Sequence, residues 1–190
     1  IMQERSHAFA MKSQFWLLDP RPNLPSIVKA VGDGFALSEA SNSPVMLTMR
    51  IRSCHVTGSF ETRDNVRPPL SVKDALSAPR SDFNRVVLPP MSYVHEQDKV
   101  KNRWPAAEKF IVEHGLNERF GPEEARVGIV CQGGMYNGVI RALQRLGLAD
   151  LYGETQVPIY VLNVTYPLIA SEFLGWAAGR TDILVVEEGQ

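Results

Sequence analysis

An α/β fold is predicted: a three-layer parallel sheet with helices on both faces, preceded by a partial α/β segment. Three observations predict it. In the last third of the chain, apolar runs of strand length alternate with stretches of helical periodicity, the pattern of parallel strands joined by right-handed crossovers. The residues up to His55 read strand, helix, strand. Between these two parts, prolines at 68, 69, 79, 89 and 90 and scattered charges break all periodicity, which marks a linker or crossing arm.

The elements follow in order. Phe15-Trp16-Leu17-Leu18 is a short apolar strand, closed by Asp19-Pro20-Arg21-Pro22-Asn23, which can continue neither a helix nor a ladder. Pro25 is suited to a first helical turn, and Ile27, Val28, Val31, Phe35 and Leu37 then recur at helical spacing as far as Ser41-Asn42-Ser43. Gly32 and Gly34 weaken that helix without abolishing its pattern. Pro44 to Ile51 is a continuous apolar run of strand length, followed by polar Arg52-Ser53-Cys54-His55. In the arm only Arg85-Val86-Val87-Leu88 looks like a strand. A charged helix is expected from about Ser92 to Glu118, interrupted at Pro105, with Phe110, Ile111, Val112 and Leu116 on its apolar side.

Arg126 to Cys131 is a buried-type strand that runs into Gln132-Gly133-Gly134, and Met135 to Leu146 reads as a helix with Val139, Ile140, Leu143 and Leu146 inward. Gly147 stops it. Pro158 to Val164 gives a second strand, Ser171 to Ala178 a second helix and Thr181 to Val186 a third strand. Three units are expected, over 1–62, 63–119 and 120–190.

Composition excludes several classes of function. Of 190 residues, 44% are hydrophobic and 22% charged, an ordinary globular balance. Twenty basic residues against 21 acidic leave a formal charge of −1, so no net field favours nucleic acid or an anionic membrane. Cys54 and Cys131 stand far apart, at no metal-ligand spacing, and suit a reducing cytoplasm. No apolar run is long enough to span a bilayer and none has the flanks of an export signal. Ile1 at the start, and an apolar run Ile183 to Val186 close to the end, read as a segment of a longer protein.

The candidate sites are few. Gln132-Gly133-Gly134 stands where a parallel strand hands over to a helix, a place where backbone amides can hold an anion; alternatively, the glycines serve only a tight turn. Gly133, Gly134 and Gly138 do not have the spacing of a dinucleotide fingerprint. Arg50, Arg52 and His55 follow a strand end, where open α/β sheets place ligands, and could hold a carboxylate or phosphate; they could equally pair with acids at a seam. His55 has no carboxylate at the spacing of a general base, and Cys131 is typical of a small buried apolar residue. Gly32-Asp33-Gly34 looks like the start of a thiamine diphosphate signature but lies within a helical pattern, without the asparagine pair that should follow. Tyr166, made rigid by Pro167, and the acids Glu187 and Glu188 are candidate interface residues. No catalytic or metal-binding residue is assigned.

Val127 to Gly134, then Val161-Leu162-Asn163-Val164-Thr165-Tyr166-Pro167-Leu168, then Ile183-Leu184-Val185-Val186-Glu187-Glu188 together resemble the transketolase C-terminal-like domain of the 2-oxoacid:ferredoxin oxidoreductases, nearest to the alpha subunits of the indolepyruvate branch. Phe15 to Pro20, the helix from about Ser26, and Pro44 to His55 are similar to the end of that family's pyrimidine-binding domain. The resemblance implies a parent enzyme that decarboxylates a 2-oxoacid to an acyl-CoA, using thiamine diphosphate, magnesium and iron-sulfur clusters, with ferredoxin and CoA as partners. Two cysteines cannot supply the four thiolates of a cluster, and no diphosphate motif is present, so none of these cofactors is expected on this chain alone. The expectation is a non-catalytic structural and interface segment, packed against the other domains or subunits of the parent and part of a homo-oligomer. The alternative is a freestanding regulatory module that binds an anion or nucleotide through residues 132–134 and the Arg50 to His55 cluster.

Overall fold

The computed structural model describes residues 6–67, 71–77 and 86–187. Helix α1 (Ser6–Ser13), for which the sequence offers no clear periodicity, leads into strand β1 (Trp16–Leu18), every residue of which is buried. Helix α2 (Leu24–Ser41) starts where Asn23 accepts a hydrogen bond from the Ser26 amide, with Pro25 in its first turn, and ends at Asn42 in the left-handed conformation. Strand β2 (Val45–Leu47) lies parallel to β1, so β1-α2-β2 is the expected parallel unit.

The inner face of α2 differs from expectation. Ile27, Leu37 and Ser41 are buried, whereas Val28, Val31 and Phe35 are exposed. Ser41 joins the core because its hydroxyl accepts from the Trp16 indole at 2.7 Å and donates to the Leu37 carbonyl, so a polar residue closes the apolar face. Gly34 faces Leu18 and Val45 in ordinary contact, and this brings helix and sheet close together.

The run Pro44 to Ile51 is a strand only to Leu47; Ile51–Cys54 forms a short helix, α3. In the arm, Val86, Val87 and Leu88 form no strand, and Arg85 lies outside the described residues, as do Pro68, Pro69 and Pro79. Helix α4 (Val72–Ser77) stands there instead. The expected charged helix is present as α5 (Met91–Asp98), a π-turn over Lys99–Arg103, and α6 (Trp104–Glu113). Pro105 cannot donate and its ring crowds the preceding turn; the wider turn ahead of it accommodates both effects, and the helix continues. Its end is earlier than expected, because Glu118–Phe120 forms strand β3.

Strand β4 (Val127–Gln132) passes through a single 3₁₀ turn, Gly133–Met135, into helix α7 (Tyr136–Arg145), which ends ahead of Gly147 at φ +71°. The apolar run after Pro158 is not one strand. It divides at Asn163 into β5 (Ile159–Leu162) and β6 (Val164–Tyr166), which belong to different sheets. Helix α8 (Ala170–Ala177) and strand β7 (Asp182–Val186) complete the described chain.

The architecture is mixed α/β with two sheets. One has the order β2-β1-β6, with β6 antiparallel to β1. The other has the order β3-β5-β4-β7: β5, β4 and β7 are parallel, and β3 runs antiparallel at one edge. The sheets are therefore mixed and not parallel throughout, because β6 and β3 each pair antiparallel with a neighbour. Along β4, Ile129 and Cys131 face the core beneath α7, while Val130 joins Tyr160 and Trp176 beneath α8. A third cluster of Trp16, Leu37, Ile111, Val164 and Ile169 lies around the smaller sheet. Among the described residues no helix is long and apolar enough to cross a membrane.

Candidate functional site

The carboxyl ends of β1 and β4 and the exit from β2 converge on one side chain, Arg50. Its Nη2 donates to Asp19 Oδ2 at 2.8 Å and to Gln132 Oε1 at 2.5 Å, its Nε lies 3.3 Å from both Asp19 oxygens, and its Nη1 approaches Met135 Sδ at 3.7 Å. Asp19 is only 3% exposed. A carboxylate that deep needs a charged partner, and the planar guanidinium fork supplies one. The two glycines are small because this pair is there. A Cβ on Gly133 would collide with the Asp19 carbonyl oxygen, and one on Gly134 with the Arg50 side chain and with Asp19 Oδ1.

A second polar joint lies beside the first. Arg21 binds Glu118 through both nitrogens, at 2.6 and 2.7 Å, while its guanidinium lies 4.9 Å from the ring centres of Phe120 and of Tyr136. The Asn163 side-chain amide donates to Glu118 at 2.8 Å and to the Leu116 carbonyl, and its backbone carbonyl accepts from the Asp19 amide at 2.8 Å. Burial pulls the Glu118 carboxyl upward, but the hydrogen bonds from Arg21 and Asn163 and the Arg21 charge outweigh it, so the group titrates below its ordinary value. Asn163 stands at the point where the chain leaves one sheet for the other, and this joint holds the two together.

The remaining predicted residues lie apart. Arg52 and His55 are exposed on and just after α3, away from the buried pair. Tyr166 is packed inward, its ring 5.5 Å from Trp104 and 6.5 Å from Trp16. Glu187 is exposed after β7, and Glu188 lies outside the described residues. Cys131 is buried, and burial followed by the Asp19 charge pushes its thiol up to about 12, so it stays protonated. Asp19, Arg21, Glu118 and Asn163 are the residues that sequence reasoning passes over. Only Asn163 gave a signal, as a polar residue inside an apolar run.

A magnesium–diphosphate group needs converging oxygen donors and room for an anion. Among the described residues no group of three or more His, Cys, Asp or Glu side chains converges, and the Asp19 carboxylate itself stands against the strand-to-helix turn. The residues around residues 132–134 do not fit that group.

Residues 117–190 match the family described as the indolepyruvate oxidoreductase domain. Over 175 residues, 90% of this chain, the sequence is 31% identical to the indolepyruvate oxidoreductase subunit IorA of Methanothermobacter marburgensis, and it covers 26% of that protein. The subunit IorA of Methanothermobacter thermautotrophicus is 30% identical over 177 residues, with the same shares covered. The chain thus spans about a quarter of the length of the curated relatives it matches. The fold is similar to that of a 2-oxoglutarate:ferredoxin oxidoreductase from Magnetococcus marinus, with a TM-score of 0.56 and 16% identity over 93% of this chain and 35% of that one.

Proposed function

We propose, from the match of residues 117–190 to the indolepyruvate oxidoreductase domain and the similarity to subunit IorA over nine-tenths of the chain, a structural role in an enzyme of that kind. The parent is a thiamine-diphosphate-dependent 2-oxoacid:ferredoxin oxidoreductase that takes indolepyruvate, with CoA and ferredoxin as partners, in the cytoplasm. This polypeptide lends it no catalytic group. It ties a pyrimidine-domain remnant, 1–62, through the arm 63–119 to a transketolase C-terminal-like unit, 120–190, and presents surface to the rest of the enzyme.

One observation carries the reading: the charged groups at the strand ends are engaged by one another. Where a bound anion would meet the turn after β4, the protein's own Asp19 carboxylate lies against Gly134 and takes up the Arg50 fork. A second anion would add like charge beside a carboxylate that is 3% exposed. Arg50 and Gln132, with the two glycines, therefore act as a joint between strand ends.

The test is reconstitution. The chain is assayed for indolepyruvate-dependent reduction of a viologen dye, alone and with the remainder of a homologous subunit supplied in trans. Turnover is expected only in the mixture. Turnover by the chain alone overturns the proposal. So does thermal stabilisation of the isolated chain by phosphate or magnesium thiamine diphosphate, since a ligand at a hundredfold excess over its Kd adds about 2.7 kcal/mol.

A further inference from the structure

Two parts of the chain, 6–55 and 86–187, pack closely against each other, and the described residues between them take little part. All described residues of 59–67 and 72–77 are exposed, and helix α4 buries no side chain, leaving Val72 and Leu76 each 77% exposed. The hydrogen bonds around α4 are local: Ser71 donates to the Asp74 carboxylate, and the Asp74 amide donates back to the Ser71 hydroxyl. Such a segment supplies reach and little stability.

The contacts between the two parts have the make-up of a permanent interface, a domain core cut in half. Its centre is apolar. Trp16, Leu18 and Leu37 from the first part pack with Ile111, Val164 and Ile169 from the second, none of them more than 3% exposed. Trp16 and Trp104 meet edge to face, their ring centres 5.2 Å apart. The backbone adds direction, since β1 and β2 come from one part and β6 from the other, so the smaller sheet exists only where both are present. A polar rim encloses the centre, with Arg21 on Glu118, Arg50 on Gln132 and the Asn137 amide on the Pro22 carbonyl.

We propose that residues 6–55 and 86–187 are partners in one interface that assembles whether or not they share a backbone, and that the arm between them is a tether the folded pair does not need. What a tether contributes is effective concentration: it makes the pairing intramolecular, and without it the same pairing depends on how much protein is present. This concerns the interface alone and holds whatever enzyme the chain serves. Its readout is association, so it and the reading above can fail separately.

The experiment inserts the recognition sequence of a site-specific protease between Arg63 and Asp64, and cuts the full chain after it has folded. In native mass spectrometry the two pieces are expected to stay together, and to separate only in denaturant. Dilution out of urea should return the same complex. The thermal midpoint of the cut protein should rise with protein concentration, while that of the uncut chain stays fixed. Arg21→Glu sets two carboxylates against each other across the rim, and should weaken association of the cut pieces at least about tenfold. Leu76→Ser, on the tether, should leave that association unchanged. Pieces that part on cutting, or that fail to find one another out of urea, overturn the proposal. So do a midpoint independent of concentration in the cut protein, a cut pair indifferent to Arg21→Glu, and one weakened by Leu76→Ser.

Discussion

Replacing Gly133 by alanine adds a single methyl group at the tightest point of the molecule. That methyl would collide with the Asp19 carbonyl oxygen and lie 2.6 Å from Asn163 Oδ1, closer than real Cβ atoms come to anything. Neither neighbour can retreat. Asp19 follows directly from buried β1, its amide is bonded to the Asn163 carbonyl at 2.8 Å and its carboxylate is held by Arg50, while Asn163 is held by Leu116 and Glu118. The relief must come from the backbone, by parting the end of β4 from the end of β1. Overpacking of this kind costs about 1–3 kcal/mol, and loosening a buried ion pair places Gly133→Ala near the upper end, at about 3 kcal/mol. For a chain of this size that lowers the Tm by roughly 6–12 °C. Gly138, in α7, is the control: its Cβ would meet nothing within 4 Å, so Gly138→Ala should add about 0.5–1 kcal/mol. Thermal and urea unfolding of the two variants beside the parent measures both signs. A Gly133→Ala midpoint indistinguishable from that of the parent would refute the packing argument.

Arg21→Lys keeps the charge but loses the two-nitrogen grip on Glu118 and the flat contact with Phe120 and Tyr136, and should cost about 1–2 kcal/mol in urea unfolding; the alternative, an exposed pair of no consequence, predicts no change. Because Glu118 titrates below its ordinary value when folded, its contribution is fully present above an unfolded carboxyl pKa of about 4.3 and is lost as the pH falls through the lower, folded value. Acid titration of stability should therefore show a shallower fall for Glu118→Gln than for the parent over that interval, and parallel curves would remove the group from the account. Native labelling with a maleimide, read by mass spectrometry, should give one adduct at exposed Cys54, with Cys131 reacting only after denaturant is added; equal rates at both thiols would contradict its burial. Tyr160→Phe deletes a 2.9 Å donor to Glu172, which keeps the Asn117 amide, and should cost about 1 kcal/mol in thermal unfolding.

Local signals set the parts of this protein. Apolar runs named β1, β4, β5 and β7, and helical spacing, with Pro25 at the start of one helix and Gly147 after the other, named α2 and α7, because each depends on residues adjacent in sequence. The motifs Val127 to Gly134, Val161 to Leu168 and Ile183 to Glu188 also resemble the oxidoreductases to which residues 117–190 and the curated relatives are similar. What lay beyond the sequence is what depends on partners far along it. The inward face of α2 joins Ile27 and Leu37 to a polar residue, Ser41, whose hydrogen bond to Trp16 spans 25 positions. The short strand Glu118–Phe120 exists because β5 offers an edge to it, and Asn163 divides an apolar run because Leu116, Glu118 and Asp19 bind it. Arg50 could have met an anion or an acid, and a sequence cannot tell which, since the carboxylate it binds, Asp19, stands 31 residues away until the sheet brings β1 and β2 side by side. Periodicity reports how a segment folds; only the folded chain brings a buried charge to its counterion, because the desolvation that makes the pairing necessary arises with the tertiary structure.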